Sequence, residues 1–123
     1  MSKSGKSVMV FACYLVLLGL VLVLVPNTLL RVFRLAPTGE VWIRVVGMLV
    51  LLLGYYYWNA AHAGLRGFFR WTVVARTAVL LFFIAFVVAG LAPPTLILFG
   101  VVDCAGAVWT ALALRGEAAH QAA

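Results

Sequence analysis

Leu98-Phe99-Gly100-Val101-Val102-Asp103-Cys104-Ala105-Gly106-Ala107-Val108-Trp109-Thr110-Ala111-Leu112-Ala113-Leu114 is an apolar run of membrane-spanning length with a single carboxylate near its middle. A carboxylate at that depth costs a few kcal/mol on insertion scales, so it faces protein or water and not acyl chains. Gly100, Asp103, Ala107 and Thr110 recur at helical spacing and make one small, polar stripe. Small residues let a second backbone come close. The partner of Asp103 is therefore the question on which the rest of the chain bears.

Three more apolar runs precede this one, and together the four fill nearly all of the 123 residues. Hydrophobic residues make up 67% and charged residues 10%, against about 25% charged in soluble domains. The expected fold is all-α: an integral-membrane four-helix bundle forming one domain over residues 1–123. Little chain is left over for a soluble catalytic domain. The net charge is +6, but the cations fall in loops, where they set orientation and meet anionic headgroups. No basic stretch is interleaved with aromatics, so nucleic acid is not an expected partner. Cys13 and Cys104 lie inside apolar runs with no metal-ligand spacing and are read as small hydrophobes. His62 and His120 are not spaced to share a metal or haem, and no cofactor is expected.

The first helix is expected over 8–25, after a polar start carrying Lys3 and Lys6. The run is long for a signal-peptide core, and Val25-Pro26-Asn27 offers no small-residue cleavage site. Ala12 and Gly19 are seven apart and suit a helix contact, and Tyr14 adds a polar tip. Pro26 ends this helix, and Asn27 or Thr28 is placed to cap the next piece. Leu29 to Leu35, with Arg31 and Arg34 on one face, suits a short interfacial helix between helices 1 and 2. The second helix is expected over 40–60, capped by Thr38, with Glu40 in its first turn. Arg44, Gly47, Leu51, Gly54 and Trp58 form its stripe. It closes on Tyr55, Tyr56, Tyr57 and Trp58, which wrap the helix as an aromatic belt; the alternative is a stacking site for an aromatic or quinone-like ligand. The third helix is expected over 68–91 with Arg76 inside it, and the fourth over 95–114, followed by a mobile polar tail from Ala118 to Ala123. Pro26-Asn27-Thr28-Leu29-Leu30 and Pro93-Pro94-Thr95-Leu96-Ile97 echo one another, a similarity chance explains in so apolar a chain.

Lys3, Lys6, Arg66, Arg70 and Arg115 fall on one side of this layout, and Arg31 and Arg34 on the other. The positive-inside rule then puts both termini in the cytoplasm. At 1.5 Å per residue, Asp103 lies roughly 12 Å and Arg44 roughly 6 Å from the outer ends of their helices, with Arg76 about 10 Å further inward than Asp103. Depth favours Arg44 as the partner of Asp103, with Arg76 the other candidate and Thr110 part of the same polar centre. The pair reads either as a clamp between helices or as the polar wall of a ligand cavity. No nucleophile–base set, carboxylate pair or Gly-rich phosphate loop points to catalysis.

The pattern Pro26…Phe33…Glu40-Val41-Trp42-Ile43-Arg44-Val45-Val46-Gly47, then Leu53-Gly54-Tyr55-Tyr56, with Arg76 early in the third helix, resembles a group of small bacterial four-helix membrane proteins similar to the DoxX-like group. In that group an Arg and a nearby Gly open the second helix. DoxX itself is associated with quinone-linked oxidation in membranes, but no residue here matches a catalytic motif. The resemblance implies fold and membrane, not activity. The expected protein is a non-enzymatic, multi-pass bacterial inner-membrane protein that binds or transports a small ligand or lipid headgroup, as a homo-oligomer or within a membrane complex. Two alternatives remain: an accessory or scaffold subunit, and a quinone-binding redox accessory protein.

Overall fold

The computed structural model describes residues 1–122 of the chain, all helical or loop. α1 spans Lys3–Leu24, α2 Pro26–Val32, α3 Trp42–Ala63, α4 Arg66–Val88 and α5 Leu96–Ala122. The four longer ones, α1, α3, α4 and α5, are long and apolar enough to cross a membrane. Large apolar side chains such as Leu17, Leu49, Leu52, Val74, Phe82 and Leu112 lie exposed on the outside, an arrangement acyl chains tolerate and water does not.

α1 is the central strut. It packs along α3 and also meets α5 and the start of α4, while α4 and α5 form a second close pair. The α1–α3 contact is a backbone contact. A Cβ on Gly19 would sit 2.7 Å from the Leu51 nitrogen, and one on Gly47 would sit 2.7 Å from the Leu22 Cβ. Gly54 meets Val16 in the same way, at 2.8 Å. The expected stripe of Gly47, Leu51 and Gly54 thus faces α1, and the Ala12–Gly19 face of α1 receives it. The α5 stripe is also turned inward: Ala107 and Thr110 are buried, and a Cβ on Gly100 would come within 2.9 Å of the Leu80 Cα on α4. Both small-residue stripes are used within one chain.

Several boundaries move. α1 begins at Lys3 rather than residue 8, because Ser2 caps it by accepting from the Gly5 nitrogen at 3.0 Å. The helix after Pro26 forms, but neither Asn27 nor Thr28 caps it: Val25 is the cap residue and Pro26 takes the first turn, where its missing N–H costs nothing. Asn27 instead accepts from the Thr38 nitrogen at 2.9 Å, and Thr38 accepts from the Glu40 nitrogen at 3.1 Å. This loop consumes Thr38 as a ligand of the turn, so α3 starts at Trp42 with Val41 as cap, two residues later than expected. α3 ends at Gly64, whose φ of 67° is the left-handed conformation that closes helices. α4 spans Arg66–Val88, and Gly90, with φ 76°, turns the chain after it.

The largest departure is at the end of α5. The tail from Ala118, expected to be mobile, continues the helix to Ala122; Ala123 lies outside the described residues. Glu117 explains it. Its carboxylate accepts from the Ser4 nitrogen at 2.8 Å and the Ser4 hydroxyl at 2.8 Å, and lies 3.5 Å from Arg66. These bonds tie the last turns to the start of α1, and alanine after them favours helix. The N-terminal and C-terminal segments therefore meet at one end of the bundle. At the other end, Thr95 donates to the Phe33 carbonyl and the Phe33 and Phe99 rings lie 4.2 Å apart, fastening α2 and its following turn to α5.

Candidate functional site

Arg76 stands on α4 and is almost fully buried, at 2% exposure. Its Nη2 donates to the Thr72 hydroxyl at 3.0 Å and the Thr110 hydroxyl at 2.9 Å, and its Nε donates to the Thr72 carbonyl at 3.2 Å. The guanidinium sits over the Phe11 ring, 4.7 Å from its centroid, with the Tyr57 ring at 6.0 Å. Aromatic faces stabilise a desolvated cation, Phe less than Trp or Tyr. Gly106 makes the space: a Cβ there would lie 3.1 Å from both Arg76 Nη1 and the Phe11 ring. Nη1 itself has no partner within the described residues.

From Thr110 the polar contacts run on to the end of the bundle. Thr110 and Ser7 hydroxyls are 2.8 Å apart, and Ser7 donates to the Ser4 carbonyl at 2.7 Å. Ser7 has one hydrogen, and the carbonyl takes it, so Thr110 donates to Ser7 while accepting from Arg76. Every hydroxyl here points the same way, away from the cation. The series stops at a carbonyl, which cannot pass a proton on. It is an anchor for Arg76, joining α4, α5 and α1, and not a proton relay. Ser4 and Ser7, both buried, were not singled out from the sequence. The signal was present: they continue the Phe11–Leu15 face of α1 at helical spacing.

Asp103 does not meet Arg44. The expected pair is corrected here: the Arg44 guanidinium is exposed and donates to the Val23 and Leu24 carbonyls at the end of α1. Those carbonyls have no helical donor left to them, so they hold the arginine locally. Arg76 reaches Gly106, one turn along α5 from Asp103, but the two charged groups are not within the 4.0 Å of an ion pair. Arg76 stays inward of Asp103, as the rise per residue along α4 leads one to expect: its guanidinium bonds Thr72 on its own helix and Thr110, two turns from Asp103 on α5.

Asp103 is half-buried and lines a cavity of about 320 Å³ between the α1–α3 pair and the α4–α5 pair. Leu18, Val50, Leu53 and Phe83 represent its apolar walls, and Tyr14 is the other lining side chain with a polar tip. The aromatic run does not assemble into a stacking site. Tyr55, Tyr56 and Trp58 are exposed around the helix, as a belt is, whereas Tyr57 turns inward against Phe11 and Phe68. Trp58 stacks on His62 of its own helix, at 5.2 Å.

Neither a family model, a curated protein nor a solved structure matches this chain. The residues that carried the DoxX-like resemblance have local structural roles: Arg44 holds the end of α1, and Gly47 and Gly54 admit its backbone.

Proposed function

We propose that the chain is a non-enzymatic, multi-pass inner-membrane protein that binds a small lipid-soluble amphiphile between its two helix pairs, with Asp103 as the polar anchor. One observation carries the reading: a carboxyl group on the wall of an otherwise apolar cavity, with Tyr14 beside it. A carboxyl group at membrane depth is stabilised by a cation or a hydrogen-bond donor. The matching ligand has an apolar body and an amine or hydroxyl head. The buried Arg76 guanidinium, beside Gly106 one turn along α5 from Asp103, biases the site toward neutral donors such as an alcohol or a quinol and against a second strong cation. Ligand movement across the bilayer and assembly with further copies extend this proposal.

A second reading has its own support. The Arg76–Thr110–Ser7 contacts join three helices through a buried cation, which suits a scaffold subunit needing one fixed packing. The two readings diverge on Asp103, which stands outside that network.

The test is ligand-induced thermal stabilisation in lipid nanodiscs, with dodecanol and dodecane as probes. Dodecanol is expected to stabilise the protein, dodecane to do so less, and Asp103→Asn to weaken the dodecanol response at least tenfold in midpoint concentration. Val50→Trp, which fills the cavity and keeps Asp103, is expected to abolish both responses. Equal responses of the parent protein and both variants would exclude the cavity as a site and leave the scaffold reading.

A further inference from the structure

The Ser4–Glu117 end of the bundle carries a second feature, away from Asp103. Arg70 on α4 and Arg115 on α5 flank a groove of about 310 Å³, whose remaining lining is Val73, Ala111, Leu114 and Ala118. Both arginines are exposed. Among the described residues neither has a carboxylate within 4.0 Å. The sequence has three Asp and Glu residues, and each lies elsewhere: Glu117 against Ser4 and Arg66, Asp103 on the cavity wall, and Glu40 in the loop at the opposite end. Two cations thus stand together with no carboxylate of the described residues against them.

From this we propose that the groove is a binding site for the headgroup of an anionic phospholipid, with its phosphate between Arg70 and Arg115 and the start of an acyl chain along Val73 and Leu114. Charge complementarity supports the phosphate, since a guanidinium presents paired donors that match its oxygens. Helical spacing supports the chain. Val73 lies one turn deeper than Arg70, and Ala111 one turn deeper than Arg115, so each cation sits above an apolar floor. Ala111 is small, which keeps that floor concave. A free anion or an acidic peptide has no use for the floor; a lipid has. Trp71, 72% exposed beside Arg70, is the kind of side chain that settles at headgroup level.

The experiment is native mass spectrometry of the full chain released from mixed vesicles of phosphatidylglycerol and phosphatidylcholine. The parent protein is expected to retain phosphatidylglycerol preferentially. Arg70→Gln with Arg115→Gln should lower that preference at least tenfold. Arg31→Gln with Arg34→Gln removes the same charge at the other end and should leave it unchanged. Arg70→Lys with Arg115→Lys keeps the charge and the fold but loses the paired donors, and should retain a weaker preference, by two- to fivefold. No preference in the parent, or equal losses in the two Gln pairs, would overturn the site. So would displacement of the lipid by millimolar inorganic phosphate or by an acidic peptide, which would show that the groove takes the anion without the chain. A failure of the dodecanol test leaves this result untouched, since the two sites share no residue.

Discussion

Arg76 carries its charge into the centre of the bundle, and its surroundings set the cost of disturbing it. Thr110 is the one side chain that both accepts from Arg76 and continues to α1 through Ser7. Thr110→Val keeps the shape and removes the acceptor, which should destabilise the protein by about 1–3 kcal/mol, the cost of a stranded buried donor. Thermal unfolding in detergent, combined in a double-mutant cycle with Ser7→Ala, should show coupling between the two. The same measurement on Arg44→Gln and Asp103→Asn should give additivity within about 0.5 kcal/mol, since those two residues do not touch. Coupling there would restore the pair expected from the sequence. That expectation failed for a physical reason. Depth along each helix was legible, but which way a long side chain leans was not, and Arg44 leans to the free carbonyls at the end of α1. Asp103, Arg76 and Thr110 were legible as unusual; their grouping, and the hydroxyls of Ser4 and Ser7, required the packing of α1 against α5.

At the scale of the elements, glycine decides the contacts. Gly47 lies where a Cβ would press on the Leu22 Cβ at 2.7 Å and the Val23 nitrogen at 2.9 Å. Backbone cannot yield as a side-chain tip can, so Gly47→Ala should cost about 1–3 kcal/mol by overpacking. Gly116 is the counter-case. It lies inside α5 with nothing within 4 Å of its would-be Cβ, so Gly116→Ala should stabilise by about 0.5–1 kcal/mol through helix propensity. Destabilisation, or no change, would argue that the chain leaves the helix before Glu117. The four long helices could be read from apolar length alone. Their ends could not, because caps and tethers decide them: Ser2 extends α1 backward, the Asn27–Thr38 contact delays α3, and the hold of Ser4 and Arg66 on Glu117 carries α5 onward.

For the whole molecule, the terminal segments share one end with Arg66, Arg70 and Arg115, while Arg31 and Arg34 lie at the other. The charge bias predicts a cytoplasmic position for that first end. Reporter fusions after Ala122 and after Pro93 should be active on the cytoplasmic and periplasmic sides respectively, and the reverse pattern would invert the molecule. The arrangement of two close helix pairs, α1–α3 and α4–α5, leaves the cleft in which Asp103 sits. That the chain folds as a bundle of helices suited to a membrane follows from its composition. That the bundle parts along this seam does not, because it depends on which stripe each small-residue face chooses as partner. The central claim is that this seam holds a ligand by way of Asp103. Its most direct test is photolabelling in nanodiscs with a long-chain alcohol carrying a diazirine near the middle of its chain, with crosslinks mapped by mass spectrometry. Labelling is predicted at Leu18, Val50, Leu53 and Phe83, and it should fall sharply in Asp103→Asn. Labelling spread over exposed outer residues such as Leu49, Val74 and Leu112, with no dependence on Asp103, would contradict the account.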